Sequence, residues 1–470
     1  MQPATANKKG NSYLFAFAVM TALFFLWGFV TVMNDILMPH LREAFSLSNT
    51  ESALVQFAFF IAYGVVSLLY YLWSIGKGDP ISKIGYRRAM IIALCISSLG
   101  CLLFYVAAEM KIYGWFLAAL FILASGITIL QISANPYVAL LGKPEGASGR
   151  LNLSQGFNSL GTALAPIVGG AVVFGSGSVK VDVNVDVLKM PYVMLALTFL
   201  AAAVVLGFIK LPEVQSGAMS RGAWKFTHLR LGMLAIFAYV GAEVTIGSYA
   251  IRFMELPQVA GLSKDLADSF LVYYWGGAMT GRFLGTIALS RSMSFTQRFL
   301  AMCGTAVGLT VFLLLLTGKN VGEAIPYFIL VGINILGFIA GTSRASRLLL
   351  LFALIAAALI AIASFGSGGI ALWALLAVGL FNSVMWSNIF TLGIRDLGPS
   401  TSQGSSLLVM MIIGGALLPL LAGVVADSSF GLQKCILITI PCYLYIAFYG
   451  WFTGRIKWAD TTANTPNITH

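Results

Sequence analysis

Asp35 and Glu243 are carboxylates set well inside long apolar runs, where a charge is costly unless it faces a pathway or a partner. Glu243 can accept two hydroxyl donors at once, or can stand protonated or paired as a structural group. Amides recur at helical spacing. Gln131 and Asn135 lie four residues apart and Gln155 and Asn158 three apart, so each pair shares one helical face. Asn382 and Trp386 repeat the four-residue spacing, with Asn388 close behind, and Asn34 precedes Asp35. An amide carries donor and acceptor on one group. Taken together on three helices these side chains favour a central polar cavity, although any one of them can equally be glue between helices. Trp275 offers an aromatic face to such a cavity or packs into the core.

Other chemistries find little to work with. His40, His228 and His470 fall in loops or at the terminus, so no HExxH pair or histidine metal cluster forms. Gly146-Ala147-Ser148-Gly149 has the form of an intramembrane serine protease motif but falls in a loop without a histidine partner. No phosphate-binding GxxxxGK[ST] occurs, which excludes an ATP-driven pump on this chain. Cys95, Cys101, Cys303, Cys435 and Cys442 all lie in apolar runs, odd in number and without a CxxC pair. The expectation is a protein that is no enzyme and holds no cofactor.

The elements that must position these residues are membrane helices. Of 470 residues 59% are hydrophobic and 10% charged, with mean hydropathy +0.90, too little charge to cover a water-facing surface. Apolar runs near 14–38, 52–75, 86–108, 112–141, 151–174 and 190–210 predict a first bundle of six spans. A basic stretch at 211–228 reads as a linker. Runs near 229–253, 267–290, 296–318, 321–342, 348–365, 370–394, 403–427 and 432–453 add eight, hence fourteen spans. The net charge of +11 lies in short loops, where Lys and Arg orient topology, so it signals a lipid bilayer and no nucleic acid. Basic residues on alternate connections place both termini in the cytoplasm of a bacterial-type inner membrane. Arg282 reads as a structural charge toward the inner face, and a monomer is expected.

The two halves echo each other. Gly28 aligns with Gly241, and Tyr63-Gly64 with Trp275-Gly276, at an offset of about 212 residues. Asn135-Pro136-Tyr137 aligns with Asn388-Ile389-Phe390, and Ser154-Gln155-Gly156 with Ser402-Gln403-Gly404, at about 250. The difference is the length of one helical hairpin, placed at 296–342 outside a core of twelve, with both ends cytoplasmic. The predicted organisation is a bundle at 1–210, a linker at 211–228 and a second bundle at 229–470. Parallel six-helix repeats hold substrate between them near mid-membrane.

Six segments, in order, carry a resemblance to a family. They are Phe25-Leu26-Trp27-Gly28 with Asn34-Asp35; Gln131 to Tyr137; Arg150 to Gly161; Tyr239 to Ser248; Tyr274-Trp275-Gly276-Gly277 with Gly281-Arg282; and Gly379 to Trp386. Over nearly the whole chain the sequence resembles the fucose permease and glucose/galactose transporter family of the major facilitator superfamily. The loop Lys83 to Arg88 is similar to the basic loop of that superfamily, except that Asp79 is not directly followed by a basic residue. The resemblance implies cation-coupled symport of a monosaccharide of the glucose, galactose and fucose class by alternating access. It matches Asp35 to the acid that takes part in cation coupling, and Trp386 to an aromatic of the sugar site. Gln131 stands where the fucose branch has an acid, which points to hexose and weakens a proton mechanism with two carboxylates. A carboxylate with neutral oxygens suits a hard cation, so Na+ at Asp35 is favoured over H+. Ser387-Asn388 replaces the usual Pro-Thr after the tryptophan, adding an amide beside the expected site. The competing readings are a proton-coupled drug or metabolite antiporter and a sugar sensor that does not transport.

Overall fold

A chain entering lipid must satisfy its peptide groups internally, and helices do so within one segment. In the computed structural model, which describes residues 4–174, 185–209, 211–212, 222–290, 292–318, 321–341 and 344–458, every long element is a helix. No strand occurs among the described residues.

The first half comprises α1 (Ala4–Ala44), α2 (Asn49–Lys77), the short α3 (Pro80–Ile84), α4 (Tyr86–Met110), α5 (Tyr113–Leu140), α6 (Ala147–Phe174) and α7 (Lys189–Phe208). The second comprises α8 (Thr227–Glu255), α9 (Lys264–Ala288), α10 (Phe295–Thr317), α11 (Ile325–Ala340), α12 (Ala345–Phe365), α13 (Gly368–Asn382), α14 (Met385–Gly393), α15 (Thr401–Met410), α16 (Gly414–Ala426), the short α17 (Gly431–Cys435) and α18 (Thr439–Arg455). By length and composition, 11 helical segments of the described residues can cross a membrane, and α11 is a shorter apolar helix. Large apolar side chains such as Leu69, Leu197, Phe208, Leu315, Phe365 and Val424 point outward. Such an outer surface suits lipid and not water.

Loop chemistry sets the helix starts. Ser48 and Glu51 close a capping box at α2, and Ser294 and Gln297 another at α10. The backbone N–H and hydroxyl of Ser48 hold the Glu51 carboxyl below its ordinary pKa. Pro136 and Pro419 lie within helices as expected, while the side chain of Pro166 lies outside the described residues. Three segments expected as continuous are interrupted. The run 370–394 breaks between α13 and α14, where the Ser383 hydroxyl donates to Leu380 O at 2.6 Å. The run 403–427 passes through a tight turn at Met411–Ile413, and 432–453 through one at Ile436–Ile438. Local side-chain bonding to the backbone, which hydropathy cannot register, accounts for the first.

In the first half α1 packs on α6, α2 on α5, and α4 on both α5 and α7. In the second α8 packs on α16 and α18, α9 on α13, and α12 on both α13 and α18. Two close approaches depend on glycine. A Cβ at Gly161 would lie 2.3 Å from Phe25 O, and one at Gly414 would lie 2.3 Å from Phe237 O. Helices α10 and α11 pack on α9, and α11 reaches α12 and α13 as well. Ties between the halves gather toward one end. Ser148 Oγ lies 2.6 Å from Thr391 Oγ1, Ser405 Oγ donates to Ile132 O at 2.9 Å, and Ser402 donates to the Asp79 carboxylate, which also accepts from Tyr70.

Candidate functional site

Between the packed helices, polar groups of α6, α8, α9, α13 and α18 join in one network. The Tyr239 hydroxyl donates to Glu243 Oε1 at 2.7 Å, one helical turn away on α8. From α9, Arg282 Nη2 lies 3.6 Å from the same oxygen. Its Nη1 donates to Ser159 Oγ on α6, and its Nε to Ser383 O at 3.3 Å, the carbonyl at the break between α13 and α14. The Tyr274 hydroxyl donates to Glu243 O at 3.0 Å. Asn382 donates to the Tyr274 hydroxyl at 3.2 Å and accepts from Tyr443 at 2.9 Å.

Arg282 is therefore no isolated charge. It is a largely buried guanidinium shared between a carboxylate, a backbone carbonyl and a hydroxyl of the opposite half. An arginine amid apolar sequence, together with an intramembrane acid, was the signal for this pair. Ser159, Tyr239, Tyr274 and Tyr443 carry no comparable mark in sequence, since tyrosines and serines are common in any membrane helix.

The amides fall into different surroundings. Gln131 donates to the Tyr63 hydroxyl at 3.1 Å. Asn135, on the same face and fully buried, has no partner for either end of its amide among the described residues. Gln155 is 7% exposed and lies one turn from Ser159, whose hydroxyl also reaches Gln155 O at 3.1 Å. Asn158 donates to Phe24 O at 2.9 Å, and Gly28 makes room for it. That is the role of glue between α1 and α6. Asn382 is enclosed by its two tyrosines with no exposed surface. Asn388 donates to Ala345 O at 3.4 Å, so it addresses α12 and not the network around Glu243. Two residues apart on a helix, Trp386 and Asn388 do not share a face. The Trp386 ring stacks on Phe390 at 5.0 Å. Trp275 stays 43% exposed, edge-on to Tyr274 and close over Gly247. The side chains of Asn34 and Asp35 lie outside the described residues. Among the described residues no group of three or more His, Cys, Asp or Glu could hold a metal ion.

The charged pair of the second half thus reaches the first half through Ser159. Residues 15–347 match the family description Major Facilitator Superfamily. The glucose/galactose transporter of Brucella abortus biovar 1 (strain 9-941) is 40% identical over 453 residues, covering 95% of this chain and 96% of the relative. The L-fucose-proton symporter of Escherichia coli (strain K12) is 29% identical over 476 residues, covering 95% of each. Among solved structures, a major facilitator superfamily transporter, FucP, in the outward conformation aligns with TM-score 0.74 at 28% identity, over 95% of this chain and 100% of that one. This chain belongs to the major facilitator superfamily. It is a multi-pass membrane transporter of the sugar-transporting kind, and not an enzyme.

Proposed function

We propose that the chain carries a hexose of the glucose and galactose class together with a cation, by alternating access. The network joining Ser159 of one half to Arg282 and Glu243 of the other carries this reading, because a polar cluster inside lipid is retained where a pathway needs it. The two halves act as bundles at 1–210 and 229–470 joined by the linker 211–228. The close pairs of Gly161 with Phe25 and of Gly414 with Phe237 support that repeat, since they join corresponding helices in each. Counting α6, α9 and α11 with the other apolar segments gives fourteen crossings, of which α10 and α11 form a hairpin outside the twelve. The end carrying Asp79, Ser148, Thr391 and Ser402 faces the cytoplasm with both termini, so this conformation is closed inward and opens to the other side. The protein works as a monomer in the inner membrane.

Gln131, Asn135, Gln155, Glu243, Trp275 and Trp386 surround the sugar, with Asn158, Asn382 and Asn388 holding the helices around it. Asp35 with Asn34 takes part in cation coupling, on the resemblance alone. The coupling ion is the proton. Sodium, favoured by the neutral Gln131, finds no support among relatives whose names state an ion, which are proton symporters. The test is uptake of labelled D-glucose and D-galactose by proteoliposomes under imposed sodium or pH gradients, with a panel of competing sugars. Hexose accumulation that follows the pH gradient without sodium is expected. Accumulation that requires sodium overturns the ion assignment, and the absence of hexose transport overturns the substrate.

A further inference from the structure

We propose that Glu243 is a proton-binding group of the transport cycle, and that Arg282 makes its occupancy felt at the contact between the bundles. The proposal rests on the transport reading above and assigns Glu243 a role besides touching sugar.

Three observations carry it. The Glu243 carboxylate pairs with Arg282, a largely buried arginine, and that contact is loose, a single approach of 3.6 Å. Both side chains keep a little exposure, 12% for Arg282 and 13% for Glu243, which opens a route for a proton. Arg282 also has acceptors that do not depend on Glu243, namely Ser159 Oγ on the opposite bundle and Ser383 O at the break in its own.

The last point decides what protonation does. A proton forms an O–H bond with one Glu243 oxygen and discharges the carboxylate, and no other bond breaks. Removing the charge from one member of a buried pair ordinarily strands the other at high cost. Here the guanidinium keeps two hydrogen-bond acceptors, so the protonated state is reachable. With Glu243 ionised, Arg282 is divided between its own bundle and Ser159; with Glu243 protonated, Ser159 and Ser383 O are what it retains. The Ser159 bond exists only while α6 and α9 stand in this register. A ligand biases two states by its difference in affinity for them, and the proton acquires such a difference through that bond. The titratable groups facing Glu243 are Tyr239 on its own helix, Arg282 and Tyr274 on α9, and Tyr443 on α18. From α13 and α6 the neighbours of the network are the uncharged Asn382 and Ser159.

The experiment compares the parent chain with Glu243→Gln and Glu243→Asp in proteoliposomes, reading two quantities with labelled D-galactose: exchange across the membrane without a gradient, and accumulation driven by a pH gradient. Exchange by the parent establishes hexose transport independently of coupling; its absence overturns the transport reading and this proposal with it. For E243Q, accumulation falls to the equilibration level and whatever exchange its altered sugar contact leaves no longer varies with pH, while E243D restores accumulation with a displaced pH profile; where E243Q loses exchange as well, E243D alone carries the test. Full accumulation by E243Q overturns the proposal. Should E243Q fail to insert, E243D carries the test alone, and a pH profile identical to the parent's overturns the proposal equally.

Discussion

At the scale of single residues, the network separates groups available to a ligand from groups consumed by the fold. Gln155 is buried beside Ser159, and Trp275 is exposed above Tyr274, whereas Asn382 is bonded at both ends of its amide. Gln155→Ala is therefore expected to weaken hexose affinity by about 1 to 3 kcal/mol, the cost of one lost buried partner, with the thermal midpoint in detergent close to the parent's. Binding titrations read the first and a melting curve the second. Asn382→Ala should do the reverse. It leaves the Tyr443 hydroxyl without its acceptor and takes one of two partners from the Tyr274 hydroxyl, so the melting midpoint falls together with the amount of inserted protein. An unchanged midpoint for N382A would mean that the tyrosines find other partners and that Asn382 is free for sugar.

Among the elements, the hairpin of α10 and α11 and the broken pair α13 and α14 are linked by more than proximity. Asn334 of α11 donates to Leu380 O at 3.2 Å, the carbonyl also reached by Ser383, and Tyr327 lies 3.1 Å from Thr280 of α9. The hairpin thus supplies a bond to backbone that the break has freed. Asn334→Leu should lower transport rate without preventing insertion, a loss of about 1 kcal/mol at that carbonyl; parent-like exchange kinetics for N334L would deny the hairpin this supporting role. Accessibility labelling at Gly322→Cys tests its orientation. Reagent that does not cross the membrane is expected to label this position from outside, and labelling from the cytoplasm alone would remove the hairpin from the topology proposed.

For the whole molecule, the distribution of ties between bundles defines which end is shut. Ser148 and Thr391 approach with their hydroxyls at 2.6 Å, so the two side chains meet directly across the halves. A Ser148→Cys, Thr391→Cys pair, oxidised in the membrane, should arrest sugar transport, and reduction should restore it. Undiminished transport after complete cross-linking would show that this end does not open in the cycle.

Much of this was legible in the order of residues, because lipid imposes a simple rule. A run long enough and apolar enough to cross must be helical, whatever its neighbours, so the helices follow from hydropathy. The close approaches at Gly28 and Gly161 came only with the packing, where a Cβ would run into the facing helix. The partners of each polar side chain are another such matter. Periodicity tells which face of a helix Asn158, Asn382 or Asn388 occupies, but the neighbour that meets that face comes from a helix far away in sequence. Only tertiary packing decided that Asn158 binds Phe24 O, that Asn388 addresses Ala345 O, and that Arg282 reaches at once to Glu243, Ser383 and Ser159. Each of those bonds joins groups with no fixed spacing along the chain, and so leaves no periodic trace in it.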